Sequence, residues 1–169
     1  MRRRILSAAL TFKEPLVRTL ESRIDIDAPV DRVWTIVSDA ATYPEWNPFI
    51  RRMEGTLQPG SRLTVRIEPP GGSGMTFKPT VQAVQPNHLL RWLGRLVVPG
   101  VFDGEHSLRL EPIDSNRTRF IQSERFSGVL VPFLGGPLSR TERGFEQMNQ
   151  ALKARAEHQM FLESPSGRY

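Results

Sequence analysis

Between Leu63 and Phe126 the chain alternates apolar and polar residues in short runs, and each run stops at a Pro, Gly or Asn turn signal. Leu63, Val65 and Ile67 alternate with Arg62, Thr64 and Arg66. Met75–Val84 resumes the pattern with Phe77, Val81 and Ala83 on one face, and His88–Gly94, Phe102–Leu110 and Thr118–Phe126 follow. A period of two is the signature of a half-buried strand. Closely spaced turns between such runs specify an antiparallel meander. An earlier strand, with Leu20, Ser22, Ile24 and Ile26 alternating against charged residues, and a short one over Ile50–Gly55 complete the set.

Two segments break this rhythm with helical spacing. Ala28-Pro29 opens the first, where Val30, Val33, Trp34 and Val37 fall at i, i+3, i+4 and i+7 and form one apolar face. Asp39 to Asn47 reads as a second short helix closed by Pro48. At the end, Ser139 with Glu142 makes a capping-box pattern, and Phe145, Met148, Leu152 and Ala156 lie on one face of a helix to about Glu163. The order is strand, two short helices, about six antiparallel strands and a long helix. The economical arrangement is an α+β fold, a curved sheet with the long helix against its concave face. A bent sheet and a straight helix leave space between them, so a pocket is expected there.

Composition narrows the chemistry. The chain of 169 residues fits one domain, expected over residues 18–163, with tails at 1–17 and 164–169. It has no cysteine, which excludes disulfides, thiol catalysis and thiolate metal sites. Its three histidines, His88, His106 and His158, are in no metal-ligand spacing, so neither a metal nor a cofactor is expected. No run reaches the ~18 apolar residues of a membrane span. The net charge of +5 comes mostly from residues 1–17, which hold Arg2, Arg3, Arg4 and Lys13 against Glu14. Elsewhere basic residues alternate with acids, a solvated surface rather than a nucleic-acid face. Arg2-Arg3-Arg4 before Ile5–Phe12 resembles a signal-peptide start, but Lys13-Glu14-Pro15 follow with no small-residue cleavage site. A loose tail and cytoplasmic residence are expected. Nothing in the pattern separates a monomer from a dimer.

Several motifs, in order, resemble one superfamily. Ile26-Asp27-Ala28-Pro29-Val30-Asp31-Arg32-Val33-Trp34 resembles the opening I-x-A-P-x-x-x-V-W of START-like (SRPBCC, Bet v 1-like) proteins. The segment from Asp39 through Tyr43-Pro44-Glu45-Trp46-Asn47-Pro48-Phe49 is similar to its D-x-x-x-Y-P-x-W-N-P stretch, and Phe102-Asp103-Gly104-Glu105-His106 to its F-x-G-x-H strand. Phe145–Lys153 is similar to the final helix of the polyketide cyclase/dehydrase-like branch. The resemblance implies a helix-grip fold, in which a seven-stranded antiparallel sheet wraps the C-terminal helix around a cavity for an apolar ligand. It also implies that Trp46, Asn47 and Phe49 line one end of that cavity.

Strand parity supplies the other candidates. Phe102, Gly104, His106, Leu108 and Leu110 share one mostly apolar face, as do Thr118, Phe120, Gln122, Glu124 and Phe126. A hairpin turning near residues 112–116 puts His106 opposite Gln122 or Glu124. The expected ligand contacts are therefore Trp46, Asn47, Phe49, Phe77, Trp92, Phe102, His106, Gln122, Glu124, Phe126, Phe145, Met148 and Leu152. Asn47 has an equal claim to a helix-capping role. His106 and Glu124 are also the candidate acid–base pair, with a self-satisfied buried pair as the alternative. The leading functional reading is binding of a small hydrophobic molecule, lipid-like or aromatic. A cyclase/dehydrase-type enzyme and an interaction module like the chaperone-activating relatives are the alternatives. The glycine loop Gly71–Gly74 lacks the Lys-Ser/Thr of a phosphate-binding loop.

Overall fold

The computed structural model describes residues 17–95, 101, 103–131 and 135–163. The expected tails, apart from Val17, and Phe102 lie outside the described residues. Strand β1 (Val17–Ile26) leads through Pro29, the N-cap residue with extended backbone, into helix α1 (Val30–Ser38). A 3-10 turn over Ala40–Thr42 runs into the one-turn helix α2 (Tyr43–Trp46). Strands β2 (Ile50–Glu54), β3 (Thr64–Ile67), β4 (Met75–Phe77), β5 (Thr80–Gln85), β6 (Leu89–Arg95), β7 (Asp103–Asp114) and β8 (Arg117–Ser127) follow, and helix α3 (Gly135–Glu163) is the last described element.

The strands form a five-stranded sheet in the order β1-β8-β7-β6-β5 and a three-stranded sheet β2-β3-β4, all pairs antiparallel. This corrects the expected seven strands to eight. The run expected as one strand over Met75–Val84 is divided by Pro79, which lacks the N–H a ladder needs. On one side of Pro79, β4 pairs with β3; on the other, β5 pairs with β6. Three backbone bonds bridge the break: Leu63 N–H to the Pro79 carbonyl, Val81 N–H to Ser61 and Gly60 N–H to Val81, each 2.9 Å.

Helix α3 starts earlier than the sequence pattern suggests. Ser139 and Glu142 lie inside it rather than at its cap, because Pro137 falls in the first turn, where its missing N–H would be unpaired anyway. Phe145, Met148, Leu152 and Ala156 are fully buried, as their spacing requires. The helix packs chiefly against β1. Polar ties fix its position: Asn149 Nδ2 donates to Ser22 Oγ at 3.0 Å, Lys153 Nζ to the Asp25 carbonyl at 2.8 Å and Arg155 to Glu45 at 2.9 Å. The core joins α1, α2, the inner sheet faces and α3 in one apolar cluster. Buried Tyr43 donates its hydroxyl to the Val37 carbonyl at 2.8 Å, and burial raises the pKa of that phenol.

Candidate functional site

Register assembles the site. Trp92 on β6 stands opposite His106 on β7, which stands opposite Glu124 on β8, so three consecutive strands present one row of side chains toward α3. His106 is 3% exposed. Its ring stacks on Trp92 with centroids 4.7 Å apart and planes at 14°, and meets Phe145 of α3 edge-on at 5.2 Å. The imidazole is thus held on a face and at an edge by aromatic rings.

Both ring nitrogens are engaged. Nδ1 lies 2.7 Å from Glu124 Oε2, and a carboxylate oxygen can only accept, so Nδ1 carries the hydrogen. Gln122 Nε2 lies 3.2 Å from His106 Nε2 and 3.4 Å from Met148 Sδ. The Gln122 amide thus occupies the second ring nitrogen, and its own Oε1 is buried with no hydrogen-bond partner among the described residues. The carboxylate orients the ring and fixes its tautomer. Its second oxygen, Oε1, has no hydrogen-bond partner among the described residues.

Two residues further along the strands the pattern changes from bulk to space. Gly94 on β6 stands directly opposite Gly104 on β7. Neither position puts a side chain on the inner face, and beside them lies a cavity of about 300 Å³. Its wall is aromatic and aliphatic, with Phe49, Ile50, Val65, Ile67, Phe77, Trp92 and Phe126 prominent; His106, Glu124, Arg95 and Thr141 are its polar members. Met75 and Leu130, both exposed, belong to the rim. Arg95 Nε stands 3.8 Å from Asp103 there. Phe49 reaches its place because α3 carries Gly144 beside it: a Cβ at that position would lie 2.2 Å from the phenyl ring.

Of the sequence candidates, Phe49, Phe77, Trp92, His106, Glu124 and Phe126 come together on this wall. Gln122, Phe145, Met148 and Leu152 are buried behind or beside it in the packed interior. Trp46 is half-buried against Tyr43, with ring centroids 5.1 Å apart, and is not on the wall. Asn47 is fully buried, and its Oδ1 accepts the backbone N–H groups of Phe49 and Ile50 at 2.9 and 2.8 Å. These bonds make an Asx-type turn into β2 and do not cap α2, whose free end groups are carbonyls that an accepting Oδ1 cannot serve. Val65, Ile67, Gly94, Arg95 and Leu138 are wall residues absent from the expected ligand contacts. Val65 and Ile67 alternate visibly, but the glycine pair acquires meaning only through register. Among the described residues no three His, Cys, Asp or Glu side chains cluster as a metal site requires, and no helix is long and apolar enough to cross a membrane.

Residues 17–157 match the family described as polyketide cyclase/dehydrase and lipid transport. The chain belongs to this family. Solved structures agree on the architecture. The Zhui aromatase/cyclase from Streptomyces sp. R1128 superposes with a TM-score of 0.70 at 17% identity, covering 90% of this chain and 99% of that one. A START superfamily protein from Mycobacterium smegmatis gives 0.64 at 22% identity, over 83% and 98% of the two chains. Truncated norcoclaurine synthase from Thalictrum flavum gives 0.62 at 16%, over 90% and 98%. At such identities the likeness concerns the fold, which is the helix-grip arrangement of the polyketide cyclase/dehydrase family. No curated protein matches the sequence significantly.

Proposed function

We propose that this member of the polyketide cyclase/dehydrase family binds a small hydrophobic molecule, aromatic or lipid-like, in the cavity between its sheets and α3. The observation that carries the reading is the cavity itself: about 300 Å³ of space with an almost wholly apolar wall. This is the small end of the range for ligand pockets, roughly 300–1,000 Å³. Apolar surface left open inside a fold forgoes packing, and a fitting apolar guest recovers it.

A second reading, acid–base catalysis by His106 and Glu124, draws on their 2.7 Å bond at the cavity wall. The engagement of His106 Nε2 by Gln122 weighs against it, since a base needs a free lone pair directed at the ligand. Binding is the better supported of the two.

Gly94 offers the test. A Cβ there would meet no atom closer than 3.8 Å, so a larger side chain has room to enter the cavity without disturbing the strands. Gly94→Phe is expected to abolish saturable binding of 2-methoxynaphthalene, measured by calorimetric titration, while leaving the unfolding midpoint within a few degrees of the parent. Equal binding by parent and variant would place the probe elsewhere and end this reading.

A further inference from the structure

The cavity wall carries a specific polar request. Glu124 is the centre of it: Oε2 is committed to His106 Nδ1, whereas Oε1 has no hydrogen-bond partner among the described residues. Glu124 belongs to the cavity wall, and its side chain retains 18% exposure. Gly104 makes room for that oxygen, since a Cβ at position 104 would sit 2.7 Å from Oε1. The strand therefore omits a side chain where the carboxylate needs access. His106 is not the group a ligand meets first, because its nitrogens are taken by Glu124 and Gln122 and its ring is held by Trp92 and Phe145.

Resting on the cavity reading above, we infer that the ligand bears a single hydrogen-bond donor, a hydroxyl or phenol on an apolar body, and that Glu124 Oε1 accepts its hydrogen. A carboxylate oxygen in an apolar wall loses hydration and regains it best from a donor. An ether or ketone oxygen offers only lone pairs and would face a second acceptor. An ammonium offers three hydrogens where the described wall supplies one unpartnered side-chain acceptor, so two would stay unpaired.

The test is calorimetric titration of the full chain with 2-naphthol, 2-methoxynaphthalene and 2-naphthylmethylamine. The parent protein is expected to prefer 2-naphthol over 2-methoxynaphthalene by about tenfold or more, the worth of a hydrogen bond to a charged acceptor. Glu124→Gln is expected to reverse the order. Its amide oxygen continues to accept from His106 Nδ1, and its NH₂ now offers the cavity a donor. Gly104→Ala is expected to cut the preference severalfold by covering Oε1 while leaving the charge on the pair intact, and it serves if the Gln variant does not fold. Equal affinity for 2-naphthol and 2-methoxynaphthalene in the parent would overturn this inference but leave the cavity reading standing. Tighter binding of the amine than of the naphthol would overturn the hydroxyl assignment. Failure of all three probes to bind would remove both readings together.

Discussion

Asn47 shows how one side chain sets the geometry beneath a cavity without touching its interior. Its Oδ1 accepts two backbone N–H groups at the entry to β2, so the position of Phe49 on the cavity wall depends on it. Replacing a buried acceptor strands its donors, at about 1–3 kcal/mol for each group left unpaired. Asn47→Ala is expected to lower stability by about 2–3 kcal/mol in urea unfolding, with no change in the slope that reports exposed surface. The dual possibility for Asn47 is visible in the sequence, since an Asn before Pro suits both a cap and a ligand contact. The side chain instead turns forward to the backbone entering β2, and nothing in the residue order sets that direction. His106 and Glu124 were more readable. Apolar residues at every second position in two neighbouring runs fix which face is inward, and a polar residue on that face must find a partner there.

At the scale of elements, β1 and β8 are joined on their outer faces by Asp25 and Arg119, which stand directly opposite in register. The guanidinium donates through Nε and one terminal nitrogen to the two carboxylate oxygens, at 2.7 and 2.9 Å. The hydrogen bond from Arg119, aided by its charge, holds the Asp25 carboxyl below its ordinary value of 3.8. A depressed folded-state value means the contribution is present above that ordinary value and is lost as pH falls through the lower, folded one. Asp25→Asn is therefore expected to flatten the acid-side decline of stability below about pH 4 in chemical unfolding, with a small effect near neutrality because the pair is exposed. The strand order and the helix face are legible from periodicity alone. The end of one strand and the start of the next at Pro79 are harder to read, because alternation continues across the proline; only the missing N–H marks the break. The start of α3 is obscured for a related reason. Two glycines and a proline resemble a breaker in isolation, yet the first turn of a helix tolerates them when the following turns are anchored.

For the whole molecule, the cavity is the property least visible in the sequence, because it arises from side chains that are absent. Gly94 and Gly104 are 10 residues apart in the chain, and register alone makes them neighbours. The fold was readable because each element advertises its buried face; the volume was not, because it depends on which faces meet. Two sheets contribute to the cavity wall, Phe77 and Val65 from the smaller and Trp92 and Phe126 from the larger. The join between them at Pro79 has a further consequence. Three backbone bonds hold the two walls together there, whereas β7 and β8 are paired along nearly their whole length. Opening of a protein is local and follows the density of such pairing. The amides of Gly60, Leu63 and Val81 are expected to exchange with deuterated solvent well before those at the centre of β7 and β8, and to slow together when a guest occupies the cavity. The least densely paired backbone around the cavity is therefore the seam that joins its two walls, and exchange at those three amides is the readout by which a filled interior would announce itself.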